Sequence, residues 1–190
     1  MKLGLFGGSF DPVHVGHLLV AQAALEELGL DRLFFIPAAQ SPFKPGSVPA
    51  PAAERLRLLR LALAGWSRCE VDDQEVRRAG VSYTIETVRD YVRRFAPAEL
   101  FYLVGADHVV SLPQWREAEA LAALTEFVII PRPGVGPVPL PAPFRGRVLR
   151  GFPFAISSSE IRRRVRAGWP LEPLVPPAVA EAIRNNRLYL

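Results

Sequence analysis

The stretch "KLGLFGGSFDPVHVGHLLVAQAALEELGLDRLFFIP", Lys2 to Pro37, decides the fold. It opens on a short apolar run, "KLGLF", and closes on another, Leu33 to Ile36. Continuous apolar runs of this length suit parallel strands covered on both faces. Between them Leu18, Ala21, Leu25 and Leu28 recur at helical spacing, and Gly29 stands where a helix ends in a left-handed residue. Strand, glycine-rich turn, helix and strand within 36 residues make a βαβ unit with a right-handed crossover.

The alternation continues along the chain. "PAAERLRLLRLALA" (Pro51 to Ala64) reads as an amphipathic helix and "CEVDD" (Cys69 to Asp73) as a short strand. "SYTIETVRDYVRRF" is a helix opened by Ser82 or Thr84, and "ELFYLVG" (Glu99 to Gly105) is a strong strand. "ADHVVSLPQWREAEALAAL" reads as helical after Pro113, and "EFVIIPR" (Glu126 to Arg132) as another strand. "SSSEIRRRVRAG" (Ser157 to Gly168) and "PPAVAEAIRNNRLYL" form a C-terminal helical part over about 157–190. This pattern predicts an α/β, Rossmann-like doubly wound parallel sheet with flanking helices, in a single domain spanning 1–190. One segment stands apart: Pro131 to Gly146 carries six prolines and no periodicity. A loop of that length is functional or mobile, and too little chain follows it to make a second domain.

Composition narrows the function. With 190 residues the chain fits one well-packed domain, and 49% apolar with 22% charged residues is an ordinary globular balance. No apolar run reaches the roughly 18–20 residues of a membrane span, and the N-terminal run is too brief for a secretory signal. A cytoplasmic protein with no membrane partner is expected. The single Cys69 excludes an internal disulfide and a Cys-rich metal site, and reads as a small buried hydrophobe. The net charge is +4, and 21 of the 23 basic residues are arginine. That suits either a compositional bias or the handling of phosphate ligands. A nucleic-acid binder would gather its basic residues on one face with interleaved aromatics. Here the arginines are scattered and often lie beside Glu, as in "AAERLRLLR", so no nucleic-acid partner is expected.

In open α/β sheets ligands bind beyond the carboxyl ends of the strands, so "GGSFDPVHVGH" (Gly7 to His17) is the first candidate site. Gly7 and Gly8 let a ligand approach the backbone, Ser9 and Phe10 offer main-chain donors, and the following helix aims its free N–H groups at the same point. Taken alone, the glycine pair is equally a plain tight turn. The stretch is neither the G-x-G-x-x-G fingerprint nor a P-loop. His14 falls in the turn and His17 in the first helical turn. The positive helix end disfavours a cation there, so His17 reads as a neutral hydrogen-bond donor, with structural capping as the alternative. H-x-x-H supplies two metal ligands, His108 is the remaining histidine, and no protein-built metal site is expected. Asp107, at the end of the strongest strand, suits a ribose hydroxyl or a magnesium shell, or caps the next helix. Ser157 and Glu160 have the S-x-x-E spacing of a capping box. Arg162, Arg163 and Arg164 then crowd the positive end of that helix, which is unfavourable unless an anion binds, and Arg162 is nearest.

H-x-G-H after a glycine turn resembles the nucleotidyltransferase superfamily, and "GGSFDPVHVGH" is similar to the bacterial nicotinate-nucleotide adenylyltransferases in particular. "SPFKP" with Lys44, "YTIET" (Tyr83 to Thr87), "GADHVVSLPQW" (Gly105 to Trp115), "ISSSEIR" (Ile156 to Arg162) and "LVPPAVAEAIRNNRLY" resemble further motifs of that family, in its order. Phe43 stands where the family more often has His, and Glu86 where it has Asp. The resemblance implies transfer of AMP from ATP to nicotinate mononucleotide, giving deamido-NAD and pyrophosphate. It implies Mg²⁺ as cofactor, held through phosphates and water. Carried over residue by residue, it implies His14, His17, Lys44 and Arg162 in catalysis. Gly7, Gly8, Ser9, Phe10, Gly105, Asp107, Ser157 and Ser158 join His14, His17 and Arg162 around ATP. Lys44, Tyr83, Thr84 and Trp115 take the acceptor, with Trp115 stacked on the pyridine ring. The alternatives within the superfamily are phosphopantetheine and nicotinamide-mononucleotide adenylyltransferases; "YTIET" and the placement of Trp115 favour the nicotinate enzyme. A phosphate acceptor is already anionic at neutral pH, so no covalent nucleophile is needed and Ser9 is not a catalytic serine.

Overall fold

The first βαβ unit forms as its pattern predicts. Strand β1 (Lys2–Gly8) leads through the glycine turn into helix α1 (Val15–Glu27), and β2 (Arg32–Pro37) returns parallel to β1. Gly29, at φ +62, takes the left-handed position after α1 that a side chain would disfavour. This computed structural model describes residues 1–40, 48–132, 134, 136, 138–152 and 155–190.

Helix α2 (Ala52–Ala62), strand β3 (Cys69–Val71), a short helix α3 (Gln74–Arg78) and helix α4 (Thr84–Phe95) follow. Strand β4 (Glu99–Gly105) leads into a 3-10 segment (Ala106–Gln114), helix α5 (Ala118–Leu124) and strand β5 (Glu126–Ile130). The chain then passes through strand β6 (Gly146–Val148) to helices α6 (Ser158–Arg166) and α7 (Pro177–Asn185). Among the described residues the strands form one six-stranded parallel sheet in the order β3-β2-β1-β4-β5-β6. The order reverses beside β1, so a crevice opens between the carboxyl ends of β1 and β4.

Both sheet faces are covered, as the unbroken apolar runs require. Phe6, Leu33 and Phe35 face a core with Ala21, Leu58, Ile161 and Val179 of α1, α2, α6 and α7. Leu3, Leu5, Phe34 and Ile36 face a second core with Ile85, Val88, Val109 and Leu121 from α4, the 3-10 segment and α5. No helix among the described residues is long and apolar enough to cross a membrane.

Three details depart from the sequence reading. The stretch from Ala106 is already helical ahead of Pro113, as a 3-10 segment through Gln114, in addition to the helix read after Pro113, which forms as α5. Ser111 Oγ donates to His108 O at 2.8 Å inside that segment, and α5 starts only past Glu117, which takes a left-handed φ of 52°. Helix α3 carries too few residues to show a helical period. Strand β6 emerges at the end of the proline-rich segment, pairing with β5 through Gly146 to Val148.

Candidate active site

A cleft of about 1020 Å³ opens at the carboxyl ends of β1 and β4. The glycine turn and α1 form one wall, the start of α6 closes it, and Thr84, Tyr102 and Trp115 line the other. The structure brings Gly7, Gly8, Ser9, Phe10, His14, His17, Thr84, Gly105, Trp115, Ser157, Ser158 and Arg162 to this one cleft. Asp107 and Tyr83 are not part of its lining. Asp107 instead accepts from Arg132 Nε at 3.4 Å and lies 3.5 Å from His108 Nε2. The Tyr83 ring lies under the Arg116 guanidinium at 4.6 Å. Lys44 and Phe43 lie outside the described residues.

His14 is the N-cap of α1 and His17 its third residue. The His14 N–H donates to His17 Nδ1 at 3.2 Å, and the His17 N–H donates to the His14 carbonyl at 2.9 Å. The first of these bonds needs a lone pair on Nδ1, so the neutral His17 ring carries its proton on Nε2. The two rings stack at 3.8 Å, and His17 packs edge-on against Phe10 at 5.0 Å. His14 is 4% exposed, and its Nδ1 finds no hydrogen-bond partner among the described residues. Burial, and then the Arg132 charge, pull its pKa from 6.5 down to about 4. Its imidazole is therefore a neutral polar group facing the cleft.

Two glycines are explained by close packing. A Cβ on Gly7 would meet Tyr102 Oη at 2.5 Å, so this glycine makes room for the Tyr102 hydroxyl, to which Thr84 Oγ1 donates at 3.3 Å. This protein contact, rather than ligand approach alone, sets that residue. A Cβ on Gly16 would meet Ile156 Cγ2 at 2.8 Å and His14 Nδ1 at 3.0 Å, which lets the start of α1 sit against the segment before α6. Phe10 contributes its ring to the core at 2% exposure, packed on Phe6 and Phe35.

The three arginines of α6 have different surroundings. Ser157 Oγ accepts the Glu160 N–H at 3.2 Å, so half of the capping box forms. The Glu160 carboxylate turns to Arg163 and Arg164, at 2.7 and 3.0 Å, instead of returning to the cap. Arg162 points into the cleft: Nη1 donates to the Asp11 carbonyl at 2.7 Å and lies 3.7 Å from Asp11 Oδ2, and Nη2 donates to Ser159 Oγ at 3.1 Å. Ser158 Oγ donates to Pro12 O at 2.8 Å, tying the helix start to the turn.

Several residues in and behind the cleft escaped the sequence reading. Asp11 is buried, and its Oδ1 accepts the Ala50 N–H at 3.1 Å. Glu75 of α3 is buried, accepts from Thr87 Oγ1 at 2.6 Å, and has its pKa raised by burial. Arg55 is buried behind the turn. It stands at i with Leu58, Leu59 and Ala62 at i+3, i+4 and i+7, so its place on the apolar stripe was a readable signal. Among the described residues no group of three or more His, Cys, Asp or Glu side chains is placed to hold a metal ion.

A polar turn at the switch point, two histidines on a helix start and an arginine thus line one cleft whose donors suit an anionic ligand. The cytidylyltransferase-like family model matches residues 5–164. A chain of Opitutus terrae, named "Probable nicotinate-nucleotide adenylyltransferase", is 42% identical over 192 residues, covering 100% of this chain and 98% of its own. One of Gemmatimonas aurantiaca with the same name is 44% identical, covering 100% and 92%. The chain belongs to the nicotinate-nucleotide adenylyltransferase family. Its fold matches the Plasmodium falciparum nicotinic acid mononucleotide adenylyltransferase complexed with NaAD, with a TM-score of 0.81 at 18% identity over 99% of this chain and 97% of that one.

Proposed function

We propose that the protein transfers AMP from ATP to nicotinate mononucleotide, forming deamido-NAD and pyrophosphate. The observation that carries this reading is the convergence of His14, His17 and Arg162 beyond β1, opposite Thr84 and Trp115, in a chain of this family. Residues 1–190 act as one unit, since Ile161 and Val179 of the C-terminal helices share a core with Phe6 of β1.

The acceptor phosphate oxygen attacks the α-phosphorus of ATP; the bond from that phosphorus to the bridging oxygen breaks, and the electron pair leaves with pyrophosphate. The acceptor is already an anion, so the protein supplies position and charge stabilisation rather than a base. The His17 Nε2–H and the neutral His14 ring hydrogen-bond phosphate oxygens as charge shifts toward the leaving group. Arg162, held by its bond to the Asp11 carbonyl, turns its remaining N–H donors to the phosphates, and the N–H groups at the start of α6, with Ser157 and Ser158, complete the anion site. Lys44 adds a cation on the strength of the family motif. Gly105 stands on the ribose side, and Thr84 and Trp115 take the nicotinate end; Asp107 and Tyr83, which do not line the cleft, are placed beside them on the strength of the family motif alone.

The donor set suits a cation carried by phosphates and water rather than a protein cage, because Asp11 is already engaged by Ala50 and Arg162. When bound with the nucleotide, Mg²⁺ supplies neutralisation of phosphate charge.

The test is pyrophosphate release from ATP with nicotinate mononucleotide, nicotinamide mononucleotide or phosphopantetheine offered in turn. Turnover with nicotinate mononucleotide far above the other two is expected; preference for either of the others overturns the assignment.

A further inference from the structure

Arg55 is the largest fully buried side chain among the described residues, 1% exposed, yet it carries a charge-bearing group. Arg57, two residues on, pairs with Glu54 nearer the surface at 2.8 Å. Arg55 instead reaches inward to main-chain carbonyls of three segments. Its Nε donates to Ala50 O at 3.1 Å, and its Nη1 donates to Ser9 O and Ala38 O, both at 2.9 Å. Burial works against its charge, and Asp11 and Tyr189 favour it. A buried guanidinium is costly unless its donors are satisfied, and an apolar residue would fill the volume without that cost. What only a planar fork provides is the fixing of several carbonyls at once.

The carbonyls it holds belong to the site. Ser9 follows the glycine pair. Ala50 is gripped at both ends, its carbonyl by Arg55 and its N–H by Asp11 Oδ1. The Asp11 carbonyl in turn receives Arg162 Nη1 at 2.7 Å. A continuous chain of hydrogen bonds thus runs from Arg55 through Ala50 and Asp11 to Arg162, and a second grip holds the turn at Ser9.

We propose that Arg55 is a positioning residue for adenylyl transfer: its guanidinium fixes the Ser9 to Asp11 turn and, through Asp11, the Arg162 side chain. This rests on the function proposed above. A displacement of about 1 Å in such a site can cost on the order of 10²-fold in rate.

The experiment compares Arg55→Met, Arg55→Lys and Leu58→Ala, the last a buried position on the same helix packed in the core. Pyrophosphate release is measured well below each variant's melting temperature, with kcat and both KM values resolved. Arg55→Met should lose about 10-fold or more in kcat, with the acceptor KM within about twofold, and Arg55→Lys should fall between it and wild type. Leu58→Ala should melt lower yet keep kcat within about twofold. Should Arg55→Met melt below the assay temperature, Arg55→Lys carries the test, with a kcat loss of about threefold or more. An unchanged kcat in the decisive Arg55 variant, or an equal kcat loss in Leu58→Ala, overturns the inference while wild-type turnover stands. A wild type that releases no pyrophosphate overturns the functional reading itself, and this inference with it.

Discussion

The two walls of the cleft are built in different ways. The wall beyond β1 is held by buried polar groups: His14, Asp11 and Arg55 are all under 9% exposed and bonded to main chain of neighbouring segments or capping a helix. The wall beyond β4 rests on aromatic packing and surface charge. Trp115 meets Tyr102 edge-on at 6.1 Å, and its Nε1 donates to Ser111 Oγ at 3.2 Å. Glu86 is held between Arg78 Nε at 3.1 Å and Arg116 Nη1 at 3.2 Å. Buried polar bonds are expensive to leave unmade, whereas exposed ion pairs contribute about 0–1 kcal/mol. The first wall therefore suits chemistry that depends on position, and the second suits recognition of an acceptor. Damage to the first should fall on kcat, and damage to the second on the acceptor KM.

The largest effect expected on this comparison is at His17. His17→Ala should lower kcat by about 10²-fold or more with the fold intact, as for loss of one donor to a developing oxyanion; kcat together with circular dichroism checks it. Arg162→Ala should cost about 10²-fold in kcat, read in the same assay. Acid titration separates the walls by stability. The unfolded His14 binds a proton near 6.5, whereas the folded one does so only near 4. Between those values the unfolded state holds more protons, so this contribution is complete above pH 6.5 and is lost as pH falls toward 4. The loss amounts to about 3 kcal/mol, and denaturant unfolding at pH 7 and pH 4.5 should show a smaller difference in His14→Gln than in wild type. Trp115→Ala should raise the acceptor KM about 10-fold, the scale of one stacked base, and leave the ATP KM within about twofold. The smallest effect belongs to Arg163→Ala, beside Arg162 but turned to Glu160 and Trp169. Its kcat should stay within about twofold and its stability within about 0.5 kcal/mol.

The same contrast explains what could be read from sequence. The βαβ unit was legible because Leu33 to Ile36 and the Leu18 to Leu28 spacing are local patterns. The His14 and His17 placements followed from helix phase. Arg162, the arginine nearest the start of α6, lines the cleft, but so does Arg164, which the sequence reading did not single out. The neutrality of His14 could not be read: it comes from burial and from Arg132, 118 residues away in the chain. Asp11 and Arg55 act through contacts 39 and 46 residues apart, which no local pattern encodes. Glu86 differs from the family's aspartate, and only the structure shows its carboxylate held by Arg78 and Arg116.

The most direct test of direct AMP transfer is a single turnover with excess protein, nicotinate mononucleotide and ATP labelled at the α-phosphorus. The label should appear in deamido-NAD, one for each pyrophosphate released, with none left on the protein. Label retained on the protein, or pyrophosphate released without the labelled dinucleotide, would contradict the account.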